Sequence, residues 1–229
     1  MAADGGFAAA LGLLGLVVGS FLNVCIHRLP LGRSVVGGRS ACPHCGRQIR
    51  AWENIPVVSW LALRGRCAGC RGRISIRYPI VEVVTAVVFA AGAVVFGPSW
   101  LLVSRLVFAC AMIVLFVIDL EHRILPNVIT LPGIVVGLVS STFLPPGLVS
   151  ALIGAAACAL ALWGMGELVS RVLGKDALGF GDVKMVAMMG AFLGWEQTLV
   201  ALFLASFLGS VIGLAIVLVT RNREYQIPL

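Results

Sequence analysis

Seven apolar runs, near residues 7–26, 79–97, 100–118, 127–144, 148–172, 183–194 and 197–219, constrain this chain more than any other feature. Membrane hydrocarbon is about 30 Å thick, which takes roughly 20 helical residues at about 1.5 Å each. Backbone N–H and C=O groups find no water there, so such runs must satisfy them internally as helices. Composition agrees: 60% of the residues are hydrophobic and 12% charged, and the mean hydropathy is +1.04. An ordinary soluble domain is excluded. The expected fold class is an all-α polytopic membrane protein with about seven transmembrane helices. The first run is read as a retained helix rather than a cleaved signal peptide, because the residues before it hold Asp4 and no lysine or arginine.

Charge orients these helices. Between His27 and Tyr78 ten arginines stand against one acid, Glu53. Basic residues near membrane ends mark the cytoplasmic side, which puts that loop inside and the N-terminus outside. Glu121-His122-Arg123, residues 171–184, Arg221 and Arg223 then fall inside, while 97–99, 145–147 and 194–196 fall outside without a basic residue. The net charge of +7 suits anionic lipid at the inner surface; nothing further argues for nucleic acid, and none is expected as a partner.

The inner loop carries Cys42-Pro43-His44-Cys45 and Cys67-Ala68-Gly69-Cys70. Two C-x-x-C pairs around a longer insert match a zinc ribbon, in which four thiolates complete a tetrahedron. The loop has few large apolar side chains, and a structural Zn2+ would supply the missing folding energy. The competing reading is redox-active or simply reduced cysteines, since a cytosolic loop does not keep disulfides; the paired spacing favours zinc. Cys25, Cys110 and Cys158 lie in apolar runs and read as core.

The polar residues near the helix ends divide into two groups. Gly19, Ser20 and Asn23 suit close packing and an interhelical hydrogen bond. Glu167 and Arg171, four apart, read as a stabilising pair. Glu82 sits about one turn inside the second helix, within reach of Arg77, and structure and substrate binding are equally good accounts of it. Glu121 and His122 are expected in solvent beyond the third helix.

Asp119 and Asp182 are different. One ends a helix running inward and the other, in Gly179-Phe180-Gly181-Asp182-Val183-Lys184, starts a helix running outward. The topology puts both at the same side and depth. An ionisable residue there is a functional hypothesis by default. Two such carboxylates sharing a proton can activate water and polarise a carbonyl. Gly179 and Gly181 would let an extended substrate approach closely. The 183–194 run spans only about 18 Å if helical, too short to cross alone, which suggests a site in the inner leaflet. The other reading has longer helices with both carboxylates solvated.

These motifs together resemble the type IV leader peptidase family of membrane aspartic proteases, the bacterial prepilin peptidases. The resemblance runs in order through residues 19–30, the two C-x-x-C pairs around Asn54-Ile55-Pro56, Arg77-Tyr78-Pro79, Asp119 before Leu125-Pro126-Asn127, and residues 179–184. It implies that Asp119 and Asp182 are catalytic, with Gly179, Gly181 and Lys184 in the active-site loop. The implied reaction is cleavage after a glycine, on the cytoplasmic side, of the basic leader of type IV prepilins or type II secretion pseudopilins. Relatives bearing the cysteine loop also methylate the new N-terminus from S-adenosylmethionine. Glu53, Asn54, Arg77 and Glu82 are drawn from the resembling strip as candidates to bind that cofactor.

The expected domains are 1–26 as first helix, 27–78 as a small zinc-binding, methyltransferase-associated domain between helices 1 and 2, and 79–229 as the peptidase bundle, in the bacterial inner membrane. The basic loop is a poor match for a basic leader; Glu121, Asp176, Glu167 or the lipid surface are better candidates to receive it. Family members continue past an Ile-Pro tract into an eighth helix, whereas this sequence ends at Gln226-Ile227-Pro228-Leu229. The rival readings are a peptidase without methyltransfer, a proton-relay transporter, and a zinc-binding membrane adaptor; the adaptor leaves residues 179–184 idle.

Overall fold

A computed structural model describes residues 5–174 and 178–220. The chain divides into two compact units, Met1–His122 and Arg123–Leu229. Every apolar run of the sequence lies in a helix, and among the described residues there is no strand beyond two isolated bridges.

The first unit is built on α1 (Gly5–Arg28), α3 (Arg77–Phe96) and α4 (Trp100–His122), with the cysteine loop and short α2 (Val58–Ala62) inserted between α1 and α3. Glycine lets α1 and α3 touch. A Cβ on Gly15 would lie 2.7 Å from the Ala86 Cα, and one on Gly19 2.7 Å from the Glu82 Cα. Small residues four apart give this close approach in lipid, where helices associate by packing rather than by the hydrophobic effect. Asn23 closes the same seam by donating to Tyr78 O at 3.0 Å, the interhelical bond expected of it. The opposite faces stay apolar and exposed, with Val17 60% and Val87 61% exposed, as helices facing lipid require.

In the second unit, α5 (Asn127–Ser140), α6 (Leu148–Ile153), a π-helical turn (Gly154–Cys158) and α7 (Ala159–Leu173) pack on α8 (Phe180–Thr220). Val186, Met188, Ala191 and Phe192 are the buried face of α8. Gly133 and Gly137 of α5 receive Met188 and the Ala191 and Phe192 pair. At the tightest crossing a Cβ on Gly190 would fall 2.1 Å from the Gly154 carbonyl carbon. No methyl group fits there without moving backbone. Gly190→Ala should therefore lower stability by about 1–3 kcal/mol, read as an earlier thermal transition in detergent micelles.

Two boundaries differ from the sequence reading. The helix expected to end near 118 runs through His122, so Glu121 and His122 belong to α4 rather than to a loop. The run expected to reach 144 is helical only through Ser140, whereas the last two runs stay distinct as two helical segments of α8 that meet at Gly194, whose φ of 77° and ψ of 174° are non-helical. The Thr198 hydroxyl donates to the Gly194 carbonyl at 2.7 Å, covering an acceptor that the break exposes. Among the described residues five helices are long and apolar enough to cross a membrane, Phe180–Ile216 counted as one, with Asn127–Ser140 a shorter apolar helix.

Candidate active site and metal centre

The two C-x-x-C segments fold as matching knuckles. In each, the N–H of the first cysteine donates to the carbonyl five residues on, Cys42 to Arg47 at 2.9 Å and Cys67 to Gly72 at 2.8 Å. In each, the residue four after that cysteine is left-handed, Gly46 at φ 69° and Arg71 at φ 60°. Glycine adopts this conformation freely, arginine with strain.

The sulfurs of Cys42, Cys45, Cys67 and Cys70 all lie within 4.8 Å of one another, and Cys42 Sγ is 3.8 Å from Cys70 Sγ. Four sulfurs at about 2.3 Å from a central zinc would stand about 3.8 Å apart, so the donor set and its spacing fit Zn2+. Backbone N–H groups of Cys70 and Gly69 pull the Cys67 thiol down to about 6. The Cys70 thiol is pushed up to about 11 because the N–H of Gly72, which lowers it, is outweighed by the Cys45 thiol, burial and the other two thiols. Thiols so crowded cannot all ionise unless a cation takes up the charge.

Glu53 props up the first knuckle. Arg47 donates to both its oxygens, at 2.9 and 2.7 Å, and the Arg50 N–H to Oε2 at 3.1 Å. These bonds, Arg47 first, hold the Glu53 carboxyl below its usual range.

A cleft of about 810 Å³ opens between this insert and the ends of α1 and α3, within the first unit. Glu53, Asn54, Arg77 and Glu82, from two separate segments of the sequence reading, all line it. Its size is that of a site for a drug-sized ligand. Glu82 is 7% exposed. It does not pair with Arg77, as its spacing allowed, but accepts the Val57 N–H at 2.7 Å. Val57 has φ 61° and ψ −49°, rare for a β-branched residue and costing about 1–3 kcal/mol. Arg77 instead pairs with Glu121 and lies 4.9 Å over the Tyr78 ring. Asn23 was legible as a packing residue, yet it too lines the cleft.

Asp119 lies in the last turn of α4 and Asp182 in the first turn of α8, each half-buried. The two glycines beside Asp182 have a reason within the chain. A Cβ on Gly181 would meet the Leu125 Cβ at 3.0 Å, and one on Gly179 the Asp182 Oδ2 at 3.2 Å. Both positions thus have a packing reason within the chain. Lys184 donates to Asn127 Oδ1 at 2.7 Å and sits 4.8 Å over the Phe180 ring. Of the acids considered for a basic leader, Glu121 already holds Arg77 and Glu167 already holds Arg171 at 3.0 Å. Asp176 lies outside the described residues, as do Arg221, Arg223 and the Ile-Pro tract at the chain end.

Apolar helices and a tetracysteine insert define the class: a multi-pass helical membrane protein with, between its first two long helices, a loop whose four cysteines could hold a metal ion. Comparison with known proteins is more specific. Residues 13–96 match the Bacterial Peptidase A24 N-terminal domain and residues 106–214 the Type IV leader peptidase family. The chain is 46% identical over 217 residues to a prepilin leader peptidase/N-methyltransferase of Myxococcus xanthus, covering 93% of this chain and 64% of that protein. It is 40% identical to the protein of the same name from Stutzerimonas stutzeri and 39% to that from Pseudomonas aeruginosa, each over 95% of this chain and 83% of the relative. The chain belongs to the type IV leader peptidase family. No solved structure is a significant match.

Proposed function

We propose that this protein is a membrane aspartic endopeptidase that removes the leader of type IV prepilins or type II secretion pseudopilins and methylates the new N-terminus. The observation that carries this reading is its identity, over nearly its whole length, to relatives named for both activities.

Asp119 and Asp182 carry the cleavage. One, ionised, takes a proton from water as the water oxygen attacks the carbonyl after a glycine; the other, protonated, donates to the carbonyl oxygen. The proton then passes to the leaving amine as the peptide bond breaks. Gly179 and Gly181 keep side chains away from Asp182, and Lys184, tied to Asn127 and Phe180, fixes the start of α8.

The zinc-binding segment at 27–78 is the second working part, between the first helix at 1–26 and the bundle at 79–229. Cys42, Cys45, Cys67 and Cys70 hold Zn2+, which supplies folding energy to a loop with little core. S-adenosylmethionine, when bound, supplies the methyl group. The cleft bearing Glu53, Asn54, Arg77 and Glu82 is its seat: its volume and its wall of apolar surface with charged side chains of both signs support this.

The distribution of arginines supports seven crossings of the bacterial inner membrane, N-terminus outside, with both active parts facing the cytoplasm. There the substrate enters with its apolar stem in the bilayer beside anionic lipid. Incubation of the purified protein with a prepilin and S-adenosylmethionine, read by mass, tests both activities. The expected product lacks the leader and carries one added methyl group. A cleaved but unmethylated product would leave the peptidase alone; an uncleaved one would overturn the reading.

A further inference from the structure

Two buried side chains with acceptor oxygens, Asn23 and Glu82, line the cleft in the first unit. Asn23 is 3% exposed. Its amide nitrogen donates to Gly19 O at 3.3 Å and Tyr78 O at 3.0 Å, and those two carbonyls fix which way the amide points. Its Oδ1 is thereby turned away from both and has no hydrogen-bond partner. A buried acceptor left unmatched costs about 1–3 kcal/mol, so its presence calls for a donor.

One helical turn into α3, Glu82 presents a 7% exposed carboxylate, with Ser20 also in the cleft wall. Its protein donors are both neutral, the N–H of the strained Val57 at 2.7 Å and the Ser20 hydroxyl. Among the described residues no cation forms an ion pair with it: Arg77 is held by Glu121 and Arg47 by Glu53. A carboxylate buried on an apolar helix is expensive unless a charge meets it. Of the six arginines in the cleft wall, Arg47 and Arg77 are held by carboxylates and Arg28 by backbone carbonyls; Arg33, Arg39 and Arg73 suit a carboxylate on the same ligand.

The geometry points to the Asn23 Oδ1 and Glu82 carboxylate as a binding site for a primary α-ammonium group, an inference that rests on the methyltransferase reading above and gives its cleft a polarity. Two ligands of that reaction carry such a group: the amino-acid end of S-adenosylmethionine and the newly exposed peptide N-terminus.

The test uses the purified full chain and four probes. These are S-adenosylmethionine, its desamino analogue, a peptide beginning with a free-amine phenylalanine, and its N-acetylated twin. At least one pair should show a tenfold or greater preference for the amine in the wild type. Glu82→Gln, which keeps an oxygen for the Val57 N–H, should abolish that preference with the affinity of the amine-free probe unchanged. The pair that responds identifies which ligand uses the site. Equal affinities within both pairs in the wild type overturn the proposal without any variant, and so does a preference that survives Glu82→Gln. Methyl transfer is scored separately by mass; its absence in the wild type overturns the methyltransferase reading, while the affinity comparison alone decides the ammonium site.

Discussion

Asp119→Asn and Asp182→Asn should each reduce leader cleavage by about a thousandfold or more, with the protein still in the membrane fraction. A positioned acid or base contributes about 10²–10⁴ in rate, and removing either member of a dyad also strands the other. The double variant should therefore be little worse than either single one, as happens when residues act as a unit. Gel-shift assays of prepilin cleavage in isolated membranes read all three. Additive losses would mean that the two carboxylates work separately.

Loss of the metal should have the next largest effect, and a different one. Cys67→Ser or removal of zinc by a chelator should unfold the insert and stop methyl transfer, since the insert forms one wall of the cleft. Cleavage should fall much less, because its carboxylates lie on α4 and α8. Inductively coupled plasma analysis should give one zinc per wild-type chain and none for the variant. Acid should act in the same direction. With the Cys67 thiol lowered to about 6 from 9.0, the folded insert binds fewer protons there than the unfolded chain between those values. Stability from this group is thus complete above about pH 9 and is lost as pH falls through about 6. Cys70, raised to about 11, opposes it only at higher pH. Zinc retention should accordingly decline below about pH 6. Equal loss of both activities on zinc removal, with the helices still folded, would show that the insert shapes the protease site.

The helices were legible because hydropathy is a one-dimensional signal: an apolar run in a membrane has few alternatives to a helix. The knuckles were legible because C-x-x-C spacing ties two sulfurs to one local turn, and two such turns find each other. Choice of partner is another matter. Glu82 stood five residues from Arg77 in sequence, yet Arg77 went to Glu121 and Glu82 to Val57, since the packing of α1, α3 and α4 decides who is near. The orphan oxygen of Asn23 was invisible for the same reason; its amide donors are spent on Gly19 and Tyr78, the latter 55 residues away. The continuation of α4 through His122 was hidden by polar side chains, which end a hydrophobic run without ending a helix. Gly181 also leaves room for Leu125, a contact between a loop and a helix start that no local pattern encodes.

The central claim is that Asp119 and Asp182 serve one water molecule, which requires their carboxyl groups to lie within about 6 Å, one water apart. Thiol cross-linking tests this most directly. In Asp119→Cys/Asp182→Cys, with zinc retained to protect the insert, mild oxidation or the shortest bifunctional thiol reagent should join the two positions. Mass spectrometry should then find a linked peptide pair containing residues 119 and 182. Quantitative alkylation of both cysteines with no linked pair would contradict the dyad.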